Sequence, residues 1–148
     1  RSGFDSPSDR HLIMNIVILS LLILCYSLVL GIIFAQVLLT APVVFKVLDD
    51  QNASNFLRKI FPRYYLLILL IALVALLISY LFFKTIDAYF ALVAVVFALI
   101  GFLIIPVTNI AKDRGWEKLF KFFHNLSVFN TLVIFIVSVV QIVRVTYL

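Results

Sequence analysis

The chain has 148 residues, of which 65% are hydrophobic and only 13% are charged, and its mean hydropathy is +1.21. A water-soluble domain is closer to half apolar and about a quarter charged, so this composition excludes a water-exposed globular surface. The net charge of +5 comes from basic residues near short connections between apolar runs. It therefore favours anionic lipid headgroups as partners and argues against nucleic acid.

Runs of roughly 18 or more apolar residues recur along the chain, and this pattern predicts transmembrane helices. Residues 1–10 are polar, and we expect them to form a disordered or cloning-derived tail. Residues 11–148 are expected to form one transmembrane domain, with spans at about 12–40, 64–83, 88–110 and 120–147. The predicted fold class is an all-α membrane protein: an antiparallel four-helix transmembrane bundle with short interfacial helices in the first loop.

The first predicted span, residues 12–40, is too long for a bilayer core. At 1.5 Å per residue it measures about 40 Å against a hydrocarbon core of ~30 Å, so it must tilt or protrude. Ser27, Gly31 and Ala35 are spaced by four and form a ridge of small residues. Such a ridge lets a second helix approach closely. Contact within one chain is the leading interpretation, and a homodimer or a larger membrane complex is the alternative.

The first loop carries the signals of the membrane interface. Pro42 is expected to end or kink the first helix, and Pro62 to open the second. Residues 43–48 and 54–60 are expected to form short helices on the membrane surface, on either side of a polar turn. The predicted interfacial residues are Pro42, Phe45, Phe61, Pro62, Arg63, Tyr64 and Tyr65.

The third span carries small residues at helical spacing. The second and third spans are joined by residues 84–87, so they should be antiparallel neighbours. Ala91, Ala94, Ala98 and Gly101 step by three, four and three, which puts them along one seam. This seam predicts a third helix at the centre of the bundle.

A polar stripe follows the fourth span. At about 100° per residue, His124, Ser127, Thr131 and Ser138 fall on one face of the helix. Lipid offers no hydrogen-bond partner, so polar side chains at this depth should face protein or trapped water. The predicted cavity residues are His124, Ser127, Asn130, Thr131, Asn109 and Gln36. The alternative is that these side chains only join helix to helix by hydrogen bonds.

The distribution of basic residues predicts the orientation. Four of them flank the termini and the second loop: Arg1, Arg10, Lys84 and Arg144. Eight flank the first and third loops: Lys46, Arg58, Lys59, Arg63, Lys112, Arg114, Lys118 and Lys121. The positive-inside rule then predicts cytoplasmic first and third loops and both termini outside.

Several short motifs, in this order, resemble those of one family. They are Gly31 with Phe34, residues 42–45 with Leu48, residues 61–65, residues 106–109, and His124 with Ser127 and Asn130. The chain resembles the bacterial relatives of human transmembrane protein 205, small four-helix membrane proteins of unknown function. The resemblance implies a multipass protein of the bacterial inner membrane, and the human relative's link to platinum-drug resistance implies export. A looser similarity to membrane proteins of copper resistance or haem metabolism implies no ligand residues.

Three classes of function follow from these residues. The leading prediction is a transporter-like or accessory membrane protein with a polar cavity near the cytoplasmic face. Copper or haem handling is the alternative, although soft metals require several convergent ligands, and Cys25 and Met14 lie far from His124. No metal or cofactor is predicted. A membrane enzyme is the second alternative, but all seven acidic residues are assigned to loops or the tail, and His124 with Ser127 has no orienting carboxylate.

Overall fold

The computed structural model describes residues 7–147, which form long helices joined by short turns and contain no strand. The helices are α1, Pro7–Phe34; a π-helical segment, Ala35–Thr40; α2, Ala41–Val47; α3, Asp50–Phe82; α4, Thr85–Asp113; and α5, Glu117–Thr146. Four stretches are long and apolar enough to cross a membrane: Ser8–Val47, Asp50–Phe82, Thr85–Asp113 and Glu117–Thr146. The predicted all-α membrane bundle is therefore confirmed.

The four long helices form a ring. α1 packs against α3 and α5, and α4 packs against the same two helices. Within the described residues, the diagonal pairs α1–α4 and α3–α5 make no close backbone contact. The bundle therefore has an interior that only long side chains can cross.

Small residues bring α4 close to its two neighbours. Ala91, Ala94, Ala98 and Gly101 are all buried. Small side chains let backbones approach, and in lipid this close packing is the main attraction between helices. The outer faces of the four helices carry large exposed apolar side chains, which suit contact with acyl chains.

The small ridge of α1 faces outward. Ser27, Gly31 and Ala35 are exposed, and a Cβ added at Gly31 would have no atom within 4 Å. The expected contact of this ridge within one chain is therefore wrong. The physical reason is that α1 buries its other face, which carries the larger Leu22 and Tyr26. A homodimer through the ridge stays a prediction.

Neither proline of the first loop ends a helix. The first helix passes through the π-helical segment and Pro42 into α2, and the chain breaks only after Val47. Pro42 has no N–H, and just before it the Ala41 N–H bonds to Gln36 O, five residues back, in the wider π turn. Of the two expectations for Pro42, an end of the helix is therefore wrong, and a kink stays a prediction.

The prediction of a second surface helix in the first loop is also wrong. Residues 54–60 form the first turns of α3, which continues through Pro62 to Phe82. The helix starts twelve residues before Pro62, so the proline lies inside it instead of opening it.

The remaining connections are tight turns. α3 and α4 are joined by Phe83 and Lys84 alone, which makes them antiparallel neighbours. α4 stops before Gly115, whose φ of 67° lies in the left-handed region that glycine tolerates. Residues 7–10, expected in the tail, begin α1, whereas residues 1–6 and 148 lie outside the described chain.

Candidate functional site

A cavity of about 1150 Å³ opens between the helices at the end that carries the first and third loops. It lies between the end of the first helix, the start of α3, the end of α4 and the start of α5. Five of the six predicted cavity residues line it: Gln36, Asn109, His124, Ser127 and Thr131. These residues come from three separate helices, so the cavity exists only because the bundle brings them together.

Asn130, the sixth predicted residue, is buried and lies outside the lining. Neither its side-chain nitrogen nor its side-chain oxygen has a hydrogen-bond partner within the described chain. It directly precedes Thr131 on α5, so its side chain is rotated by about 100° from that of Thr131 and by about 60° from that of Ser127.

Tyr65 crosses the interior of the ring. Its hydroxyl donates to Ser127 O at 2.9 Å and lies 2.9 Å from Ser127 Oγ and 3.0 Å from Thr131 Oγ1. This side chain joins α3 to α5, the diagonal pair whose backbones do not meet. Its hydrogen bonds satisfy two of the polar groups that line the cavity.

The structure buries Tyr65 and Tyr64, which the sequence assigned to the headgroup level. Because α3 starts at Asp50, Tyr65 lies about 22 Å along the helix at 1.5 Å per residue. The two rings meet edge to face at 5.0 Å. Both tyrosines are therefore buried inside the bundle, and their assignment to the headgroup level stays a prediction.

The other interfacial residues divide into two groups. Phe45 and Phe61 line the cavity. Pro42 is exposed, Pro62 is half-buried, and Arg63 is exposed and donates to Lys59 O at 3.0 Å.

The mouth of the cavity is held by polar contacts between α3 and α4. The Arg58 guanidinium donates two hydrogen bonds to the Asp113 carboxylate, and Lys112 Nζ donates to Ser54 Oγ at 3.1 Å. A paired guanidinium and carboxylate has a fixed planar geometry. These contacts fix the distance between the start of α3 and the end of α4.

His124 stacks on Phe120, with ring centroids 5.9 Å apart and an interplanar angle of 19°. It is exposed at the edge of the cavity. The polar contacts found for Ser127 are those with Tyr65, on another helix. The pair His124–Ser127 is thus not joined by a hydrogen bond in the part of the chain that the structure describes.

We expect Tyr65→Phe to lower the free energy of unfolding by about 1 kcal/mol. The substitution removes the hydroxyl that satisfies Ser127 and Thr131 and leaves the ring in place. Chemical unfolding in mixed detergent micelles measures the change. Tyr80→Phe is the control, because Tyr80 lies on the same helix and is exposed, so it should unfold like the wild type. Equal stability of the two variants would contradict this role for Tyr65.

A second polar cluster, at the opposite end of the bundle, was missed by the sequence analysis. Asp87 is fully buried in the first turn of α4, and its Oδ1 accepts from Gln141 Nε2 at 2.9 Å. Arg144 also donates to this oxygen, from Nη2 at 3.3 Å and from Nε at 3.4 Å. The assignment of every acidic residue to loops or the tail is therefore wrong.

A signal for this cluster was present in the sequence. The polar stripe of α5 continues from Ser138 to Gln141 and Arg144 at intervals of three. An amide and a guanidinium on one face of an apolar helix need a buried partner. Asp87 is the acidic residue nearest the short turn between α3 and α4, at the end of the bundle where α5 finishes.

Within residues 7–147, the structure holds no group of three or more His, Cys, Asp or Glu side chains able to bind a metal ion. A family model described as a domain of unknown function, DUF4149, matches residues 24–117. This range covers the first helix from its middle, all of α3 and α4, and most of the cavity lining. Comparison with curated proteins and with solved structures found no significant match.

Proposed function

The chain belongs to the DUF4149 family of domains of unknown function, and we propose that it is a small membrane protein that holds a small-molecule ligand in the cavity described above. We propose that it acts as a transporter or as an accessory subunit of a larger membrane complex. The observation that carries the proposal is the cavity of about 1150 Å³, whose largely apolar wall also carries the side chains of Gln36, Asn109, His124, Ser127 and Thr131. Ligand sites in proteins usually have volumes of about 300–1,000 Å³, so the space suffices for a small organic molecule.

The cost of polar side chains in lipid supports this proposal. Five of the six predicted polar side chains line one cavity in a chain that is 65% hydrophobic. Polar groups inside a membrane are costly unless they face protein or water. Gln36 is 8% exposed, and its Nε2 has no partner within the described chain. A ligand or water in the cavity would satisfy this group.

We expect a cysteine at position 108 to react with a charged, water-soluble maleimide, and one at position 107 to react at least tenfold more slowly. Both variants, Thr108→Cys and Val107→Cys, are made in a Cys25→Ala background. Thr108 lines the cavity, whereas Val107 is exposed on the outer face of α4 at the same depth. Maleimide reacts with thiolates, which form in water and not among acyl chains.

Equal labelling rates at the two positions in vesicles would contradict a water-filled cavity and remove the basis of the proposal. Before labelling, both variants must be shown to have the same unfolding temperature as the wild type. This requirement excludes a general opening of the bundle as the reason for labelling.

The orientation is part of the proposal. We propose a protein of the bacterial inner membrane whose cavity opens to the cytoplasm, because eight basic residues flank the first and third loops. A phosphatase reporter, active only outside the cytoplasm, should be active when fused after Leu148. A reporter inserted between Arg114 and Gly115 should be inactive. The reverse pattern would contradict the orientation.

We also propose the relation to the bacterial relatives of human transmembrane protein 205. The matched range 24–117 contains most of the motifs that carry this resemblance, from Gly31 to Asn109. A structure of the human protein with another helix order in its bundle would contradict it. The export that this relation implies agrees with a transporter role.

A further inference from the structure

The cavity has an opening between the end of the first helix and α5, where exposed apolar side chains line it. Val37, Leu38 and Phe45, from the end of the first helix, and Val128 and Leu132, from α5, line the cavity and are each more than half exposed. We call these five residues the portal. These apolar side chains are accessible where the cavity opens between the first helix and α5.

The portal results from a change in the path of the first helix. α1 packs against α5, and the last contact of this kind is the edge-to-face pair of Phe34 and Phe135, with centroids 5.5 Å apart. Beyond this pair, the π-helical segment and α2 make no close backbone contact with α5 within the described residues. The wider π turn that precedes Pro42 coincides with this separation, and such turns occur frequently at functional sites.

The unpartnered polar groups of the cavity wall are hydrogen-bond donors. Gln36 Nε2, Arg58 Nε and the Tyr64 hydroxyl are buried and have no partner within the described chain. All three residues line the cavity. An amide N–H and a guanidinium N–H can only donate, and a phenol can donate as well. The complementary ligand therefore carries acceptor oxygens, as phosphate and ester groups do.

The charge at this end of the bundle favours a negative ligand. Four acidic residues, Asp49, Asp50, Asp113 and Glu117, lie here against the eight basic residues of the first and third loops. Within the cavity lining, Arg58 and Lys112 are balanced by Asp50 and Asp113, so the positive excess lies on the loops around the cavity. Exposed basic residues near a membrane attract anionic lipids, and phosphate oxygens suit guanidinium donors. An apolar entrance and a donor-rich wall together match an amphiphile.

We propose that the cavity binds one anionic phospholipid of the surrounding bilayer, which enters through the portal with its phosphate towards Gln36 and Arg58 and its acyl chains in the portal. This inference rests on the proposed function, since it names the ligand of the same cavity. The lipid comes from the membrane and not from the cytoplasm, because the portal residues are apolar and face outward.

The test measures lipid retention by native mass spectrometry. The protein is reconstituted in vesicles of equimolar phosphatidylglycerol and phosphatidylcholine, extracted in a mild detergent and sprayed intact. We expect the wild type to retain one phosphatidylglycerol per chain. Ala41→Trp fills the cavity wall beside the portal, and its retention should fall at least tenfold. Ala35→Trp is the matched control, because Ala35 lies in the adjoining π-helical segment, six residues before Ala41, and outside the lining.

A second portal variant keeps the test valid if Ala41→Trp does not fold. Leu132→Trp narrows the portal from α5 at an exposed position and should show the same loss. Its control is Leu99→Trp, on the lipid-facing side of α4. Gln36→Leu removes one donor and should lower retention of phosphatidylglycerol about fivefold, the effect of one hydrogen bond.

Two results would overturn the inference: equal retention in portal variants and their controls, or no lipid retained by the folded wild type. Retention of phosphatidylcholine equal to that of phosphatidylglycerol would overturn the anionic specificity. The cysteine experiment distinguishes failure of the lipid inference from failure of the proposed function. If Thr108→Cys reacts with the water-soluble maleimide and no lipid is retained, the cavity keeps its proposed role and takes another ligand. If Thr108→Cys does not react even after the lipid has been removed in detergent, both fail.

Discussion

Arg144→Met should lower the free energy of unfolding by about 3 kcal/mol, the cost of leaving one member of a buried ion pair without its partner. Asp87 is fully buried, and Arg144 supplies the positive charge that faces it. Methionine keeps the apolar stem of Arg144 but removes the charge and two hydrogen bonds to Asp87 Oδ1. Since the Arg144 side chain is 34% exposed, we expect the lower end of the range for buried pairs.

The double variant tests the reason for this loss. Asp87→Asn keeps an oxygen for Gln141 and removes the negative charge. Asp87→Asn/Arg144→Met should therefore be more stable than Arg144→Met alone, because no unpaired charge remains in the bundle. Chemical unfolding in mixed micelles measures the free energy of unfolding of Arg144→Met, Asp87→Asn and the double variant. Arg63→Met, at an exposed position, should change stability by less than about 0.5 kcal/mol. Additive losses in the double variant would contradict the pairing.

Gly101→Ala should destabilise the bundle by about 2–3 kcal/mol, a large effect for one added methyl group. A Cβ at this position would lie within 2.5 Å of three atoms of the Tyr65 ring. The ring is buried, and its hydroxyl forms hydrogen bonds with Ser127 and Thr131. The ring therefore cannot move aside without losing these hydrogen bonds. The added methyl group therefore forces either α4 away from α3 or Tyr65 out of the interior.

Gly31→Ala is the matched control for this substitution. Gly31 is also a helical glycine, but a Cβ there meets no atom within 4 Å. Alanine is the better helix former, so Gly31→Ala should stabilise the chain by about 0.5–1 kcal/mol. Removing the ring should also remove the clash, so Gly101→Ala should cost little more in a Tyr65→Ala background. An unchanged unfolding free energy in Gly101→Ala alone would contradict the close approach of Tyr65.

The sequence by itself determined that this protein lies in a membrane and crosses it four times. It also determined that α4 presents a seam of small residues, and that His124, Ser127 and Thr131 share a face of α5. These properties follow from composition and from the helical period, which depend only on residues close together in the chain. Five of the six predicted cavity residues line one cavity for the same reason, since polar side chains in a lipid-embedded helix turn inward.

Only the tertiary structure decided which face of α1 is inside, and it buried the face of Leu22 and Tyr26 in preference to the small ridge around Gly31. It also decided the burial of Tyr65 and of Asp87, which depends on partners on α5 more than fifty residues away. The sequence likewise left undecided whether the first helix continues through Pro42, because a proline can end a helix or be accommodated by a wider turn. Local sequence sets the period of each helix, but the packing of all four selects the face, the depth and the partner of each polar group.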